Sequence, residues 1–179
     1  MKPLIVISAH CQPLPTSAAT IMCDMAEGFM ANRNVIFITQ SRFAFGSKHR
    51  YGQLFGLPNP FIKTQSIYLR FIGELLMPFL LALTFGLYCR LFVRDYDVIA
   101  YSPTALQFPL MYMLKKKKSK QFLILRDIFP LWLADAHIVN HHSIAFRLLD
   151  KLSSFQYYLS DKIGVQCIDD CKLLPQRFK

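Results

Sequence analysis

The densest chemistry in the chain is Arg126-Asp127-Ile128-Phe129-Pro130, directly after Gln121-Phe122-Leu123-Ile124-Leu125. The latter stretch reads as a buried strand, so the two charges mark where that strand leaves the core. Pro130 stops regular structure beyond them. A carboxylate beside a guanidinium at such a point can hold a polyhydroxylated substrate. Carboxylate-to-hydroxyl and guanidinium-to-phosphate bonds are strong and directional. The other reading is a structural ion pair or a helix cap.

Three more segments place polar groups at strand ends: Ser8 to Pro15, Tyr101-Ser102-Pro103, and Cys167-Ile168-Asp169-Asp170. In open α/β sheets ligands bind beyond the carboxyl ends of strands, so these ends are the candidate site. His10 lies in the first of them, where its ring can face a substrate. His141 and His142 fit a solvated turn better.

Familiar catalytic signatures are missing from the sequence. It has no G-x-G-x-x-G, no Walker loop, no H-E-x-x-H and no G-x-S-x-G, which weakens dehydrogenase, NTPase, metalloprotease and esterase readings. The five cysteines, Cys11, Cys23, Cys89, Cys167 and Cys171, include no C-x-x-C pair. Reduced thiols in cytosol, with no metal site, are the expectation.

The elements that must position these residues alternate. Leu4–Ser8 reads as a central parallel strand, and Thr16 or Ser17 caps a helix to about Met30 with Ile21, Met25, Gly28 and Phe29 on one face. A strand from Asn34 to Thr39 completes a βαβ unit. Gln40 to Gln65 shows no periodicity, and a mobile loop and a short strand excursion both stay open there. Further on come a strand over Tyr96–Tyr101, a helix capped by Thr104 and a strand over Gln121–Leu125. A helix from Ile144 to Leu159, a strand from Lys162 to Cys167 and a final helix to Lys179 complete the order. It predicts an α/β chain with a Rossmann-like, doubly wound, mostly parallel sheet.

The 179 residues suit one hydrophobic core and not comfortably two. A net charge of +10 attracts anions. Part of it is clustered in Lys115, Lys116, Lys117 and Lys118. These lysines either complement a helix C-terminus or meet acidic lipid headgroups. The chain lacks nucleic-acid-binding signatures, so no nucleic-acid partner is expected. Leu75 to Cys89 is uncharged. It is shorter than the roughly 20 residues a spanning helix needs. A spanning helix, an interfacial helix and a core crossover helix all stay open.

Tyr101-Ser102-Pro103, and later Phe122 through Arg126-Asp127-Ile128-Phe129-Pro130-Leu131-Trp132, resemble the bacterial retaining family-four glycosyltransferases of GT-B fold. The likeness is to those that build O-antigen (lipopolysaccharide), capsule and exopolysaccharide. It implies a transferase that moves a hexose-type sugar from a nucleotide sugar to a polyprenyl-diphosphate-linked acceptor without a metal. The enzyme would work as a peripheral protein on the cytoplasmic side of the plasma membrane, against an acidic surface. Arg126 and Asp127 would be catalytic, and His10, Gln12, Ser102 and Pro103 would line the acceptor site.

The donor site and its pair of glutamates belong to a second domain in such enzymes. The resemblance therefore implies an acceptor-side domain over 1–165 and, over 166–179, the start of a linker to a missing donor domain, as in a truncated or split enzyme. Relatives often carry glycine where this chain has His137. The alternative is a non-catalytic membrane-associated protein anchored by residues 75–89.

Overall fold

The structure, a computed structural model, describes residues 2–9, 16–40, 42–61, 64–102 and 107–174, apart from the side chains of residues 67, 68, 70 and 71. The strands are β1 (Leu4–Ser8), β2 (Val35–Thr39), β3 (Ala44–His49), β4 (Gly52–Gly56), β5 (Asp97–Ser102), β6 (Gln121–Leu125) and β7 (Lys162–Val165). They form one sheet in the order β3-β4-β2-β1-β5-β6-β7. Every neighbouring pair is parallel except β3 with β4. The chain is thus α/β with a mostly parallel mixed sheet, consistent with a Rossmann-like fold.

β1 is buried along its whole length because both faces are covered, which its unbroken apolar run anticipates. Its odd and even residues feed two separate cores. Ile5 and Ile7 join Ile36, Ile38, Val98, Ala100, Leu123 and Leu125 on one face. Leu4 and Val6 join Val35, Phe37, Ile99 and Tyr101 on the other. The second face is covered by α1 (Ser17–Met30), whose start is fixed by Thr16 Oγ1 accepting from the Ala19 N–H at 3.1 Å. The face of α1 that is buried differs from the expected one. Ala18, Ala19, Met22, Cys23 and Ala26 point inward and Ile21 is half exposed. Small residues let this helix lie close to the sheet.

The first face is covered by everything after β4. A long helix runs through α2 (Ile67–Leu81), a π-helical turn (Ala82–Gly86) and α3 (Leu87–Phe92). Thr84 Oγ1 donates to the Leu80 carbonyl at 2.7 Å, a back-bond of the kind that loosens a helical ladder. A Cβ on Gly86 would meet Leu110 and Met113, so the missing side chain lets α4 (Phe108–Leu114) pack against the π turn. Met77, Leu81, Ala82, Phe85 and Cys89 are buried in this layer. The apolar stretch 75–89 is therefore a core crossover helix on its inner side. Then follow α5 (Leu131–Asp135), α6 (Ile144–Leu159) and α7 (Asp170–Leu173). Thr104, the expected cap of the helix here called α4, lies outside the described residues, as does the end of the last expected helix.

The aperiodic stretch after Gln40 holds a hairpin. β4 is the third parallel strand on its side, and β3 folds back on it as an antiparallel edge. Gly52 turns the chain at φ 115°, and a Cβ there would strike the Val35 carbonyl.

Candidate functional site at the carboxyl lip of the sheet

From β1 the chain moves outward to β2 and β4, then recrosses to β5 and moves the other way to β6 and β7. The strand order reverses between β1 and β5. In sheets of this type the crevice outside the carboxyl ends at such a reversal is where ligands bind. Ser8 ends β1 opposite Tyr101 of β5, and Ser102 ends β5 opposite Leu125 of β6. The Arg126 N–H reaches the Ser102 carbonyl at 3.5 Å, extending the pairing by one step. Ser102, Arg126 and Asp127 therefore emerge together at the lip beside the reversal. His10, Gln12 and Pro103 lie outside the described residues.

The lip combines buried polar groups with half-exposed charges. Ser102 is 1% exposed and Tyr101 2%. Among the described residues the Ser102 hydroxyl has no hydrogen-bond partner, whereas the Tyr101 phenol interacts with the Arg126 side chain. A buried hydroxyl without a partner costs about 1–3 kcal/mol, so Ser102 would gain from a ligand. Burial pushes the Tyr101 phenol above its ordinary range, while the nearby Arg126 guanidinium pulls the other way. Arg126 Nε stands 3.9 Å from Asp127 Oδ2, with the two side chains 43% and 49% exposed. That pair is loose and wet, free to exchange partners, unlike a structural ion pair locked in a core. Sequence reasoning places Tyr101 in a strand-end segment but assigns it no role at the site. Its place at the end of β5, one residue before Ser102, is the signal that could have found it.

A second polar group closes the lip at β2. Gln40, 3% exposed, accepts from Asn59 Nδ2 at 3.3 Å, and Asn59 Oδ1 accepts from the Phe61 N–H at 3.0 Å. These contacts fasten the loop after β4 over the end of the neighbouring strand.

The segment after Asp127 is held by α5. His137 follows that helix at φ 54°. Its N–H donates to the Ala134 carbonyl and that of Ile138 to the Leu133 carbonyl, both at 2.9 Å, the paired bonds of a Schellman cap. The left-handed geometry that glycine favours is thus adopted here by histidine. Left-handed backbone costs a side-chain-bearing residue roughly 1–2 kcal/mol, and His137 is exposed. His137→Gly is expected to stabilise the fold by about 1 kcal/mol, read as a higher urea midpoint. An unchanged or lower midpoint would mean that the ring makes contacts worth more than the strain.

The lysine run divides in two. Lys115 Nζ donates to the Leu159 carbonyl at 2.8 Å and meets Asp161 Oδ2 at 3.1 Å. Lys116 Nζ donates to the Val93 and Arg94 carbonyls and lies 4.7 Å from the Tyr96 ring centroid. Both satisfy carbonyls where α6 and α3 end, as cations near helix C-termini do. Lys117 and Lys118 are exposed. Among the described residues no group of three or more His, Cys, Asp or Glu side chains could hold a metal ion.

No family model matches this sequence, and no curated protein shows significant similarity to it.

Proposed function

We propose that this chain is the acceptor-side domain of a retaining glycosyltransferase with GT-B architecture. It would transfer a sugar from a nucleotide sugar to a polyprenyl-diphosphate-linked glycan in cell-surface polysaccharide synthesis. The observation behind this reading is the lip itself. A half-exposed guanidinium and carboxylate stand one strand from the strand-order reversal, beside the buried Ser102 hydroxyl, which has no partner among the described residues. Arg126 suits the diphosphate of the acceptor, and Asp127 suits the hydroxyl that attacks the sugar. The only glutamates, Glu27 and Glu74, are far apart in sequence. The donor-side pair implied by the resemblance would come from a second domain.

The long helix supports a peripheral seat on the membrane. Opposite its buried face, Leu76, Leu80, Leu83, Leu87 and Leu91 are all exposed, with Phe79 and Phe92 beside them. Ile72–Phe92 is apolar and long enough to cross a membrane, but 39% of that window is buried in the protein. An apolar ridge backed by a core fits an interfacial seat. The same ridge favours a second reading, a membrane-associated protein without catalysis.

One binding measurement separates them. A polyprenyl-diphosphate-linked hexose in anionic nanodiscs should hold the chain more tightly than empty nanodiscs do. Arg126→Ala should weaken only that increment, by roughly tenfold or more. No increment from the acceptor would leave the non-catalytic reading standing. An increment insensitive to Arg126→Ala would move the site away from the lip.

A further inference from the structure

At the opposite edge of the sheet, where the strands begin, a cleft of about 520 Å³ opens among Leu4, Phe29, Val98, Ile99, Gln121 and Phe122. Topology leaves it there. A crossover to a parallel strand is almost always right-handed, so strands added in one direction keep their helices on one face. The helices that follow β5 and β6 accordingly pack with Leu123 and Leu125, and even Leu174, beyond β7, returns to that layer. On the other face the core under α1 takes in β1, its outward neighbours and Ile99 and Tyr101 of β5, and thins out toward β6 and β7. Phe122 is left 36% exposed, and its ring lies against Gly164 of β7.

The rim of the cleft is charged, and its charges are unequally satisfied. Asp97 accepts from Arg33 Nη1 at 3.1 Å and from the Lys120 N–H at 3.2 Å. Asp161 accepts from Lys115 Nζ at 3.1 Å and from the Gln121 N–H at 2.7 Å. Both carboxylates are therefore occupied. Lys120 and Lys162 also line the cleft, are exposed, and have no ion-pair partner for Nζ among the described residues. The free charge over the apolar floor is positive.

The geometry points to a second binding site, for a small amphiphilic anion taken up as a monomer from solution. The apolar body would lie on Phe122 and Phe29, with the anionic group between Lys120 and Lys162. A cleft of this volume, mostly apolar with a few convergent polar groups, is the usual form of a small-ligand site. The inference does not depend on the glycosyltransferase reading, because the lip lies at the other end of the strands.

Octyl phosphate below its micelle concentration is a suitable probe, with octyl glucoside as the neutral control, both followed by titration calorimetry. Octyl phosphate should bind at one site per chain and at least about tenfold more tightly than octyl glucoside. Lys120→Glu/Lys162→Glu should remove that preference, while Arg126→Ala should leave it intact. Equal affinity for the two amphiphiles, or a preference that survives the double substitution, would overturn the site. So would a parallel loss of binding to phosphatidylglycerol vesicles in the double variant, since the lysines would then serve a membrane surface.

Discussion

On the proposed glycosyltransferase reading, Asp127→Ala, introduced into the chain joined to a donor-binding domain, is expected to lower sugar transfer by roughly 10²–10⁴-fold. It should leave the urea midpoint where it was. The carboxylate is half exposed, and its ion pair with Arg126 spans 3.9 Å. Such a surface pair contributes about 0–1 kcal/mol to stability, so removing it barely touches the fold. Activity is different, because a carboxylate at the lip would accept the proton of the attacking hydroxyl as the new glycosidic bond forms. Asp127→Asn keeps the shape and hydrogen bonding but not the basicity, and should be nearly as inactive. Arg126→Ala should act chiefly on KM, since a guanidinium bound to the acceptor diphosphate helps ground state and transition state alike. Normal turnover by Asp127→Ala would refute the assignment. So would a loss of activity matched by a loss of folded protein.

Much of this architecture is legible in the sequence. Runs such as Leu4–Ser8 and Gln121–Leu125 are too short and too β-branched or apolar to be helices, and they became central strands with the expected bounds. Helix α6 also begins and ends where its periodicity places it, because Ser143 accepts from the Phe146 N–H at 3.1 Å and caps it. The stretch from Gln40 to Gln65 was not legible. β3 is an edge strand in which only Ala44 is buried, so it carries no buried pattern, and positive-φ glycines at 46 and 52 shape the hairpin. The buried side of α1 was misjudged for a related reason. Alanines and a cysteine face the sheet while the larger Ile21 faces out, so side-chain size misleads where close approach decides. At the lip, position after a strand was enough to find Ser102, Arg126 and Asp127. The strand order that puts them beside a reversal depends on β4, and so on the hairpin that periodicity did not reveal. The lysine run is ambiguous in sequence because charge alone does not tell a headgroup from a helix carbonyl. Lys115 and Lys116 found carbonyls.

Phe85→Ala is expected to cost about 3–5 kcal/mol in unfolding free energy, a large part of the stability of a domain this size. Phe85 is 3% exposed in the π turn. Its ring meets Phe55 at 5.4 Å and Phe45 at 6.0 Å between centroids, tying the long helix to the hairpin that closes the sheet. Truncation would leave a void between two layers that have little freedom to collapse. Leu83 and Leu87, on the other side of the same helix, are 64% and 41% exposed. Leu83→Glu/Leu87→Glu should change stability by no more than about 0.5 kcal/mol per site. It should nevertheless release the chain from anionic vesicles, because the ridge that enters the interface would then carry charge. A spanning helix predicts the reverse order. In lipid Phe85 has no hairpin to hold, so its loss would cost little. Each glutamate would oppose insertion by a few kcal/mol, roughly the cost of a carboxylate at mid-bilayer. The ratio of the two effects therefore separates a crossover helix with one lipid-facing side from a membrane span. A small effect for Phe85→Ala beside a large one for the glutamates would take the helix out of the sheet's covering layer, and the lip that this layer supports with it.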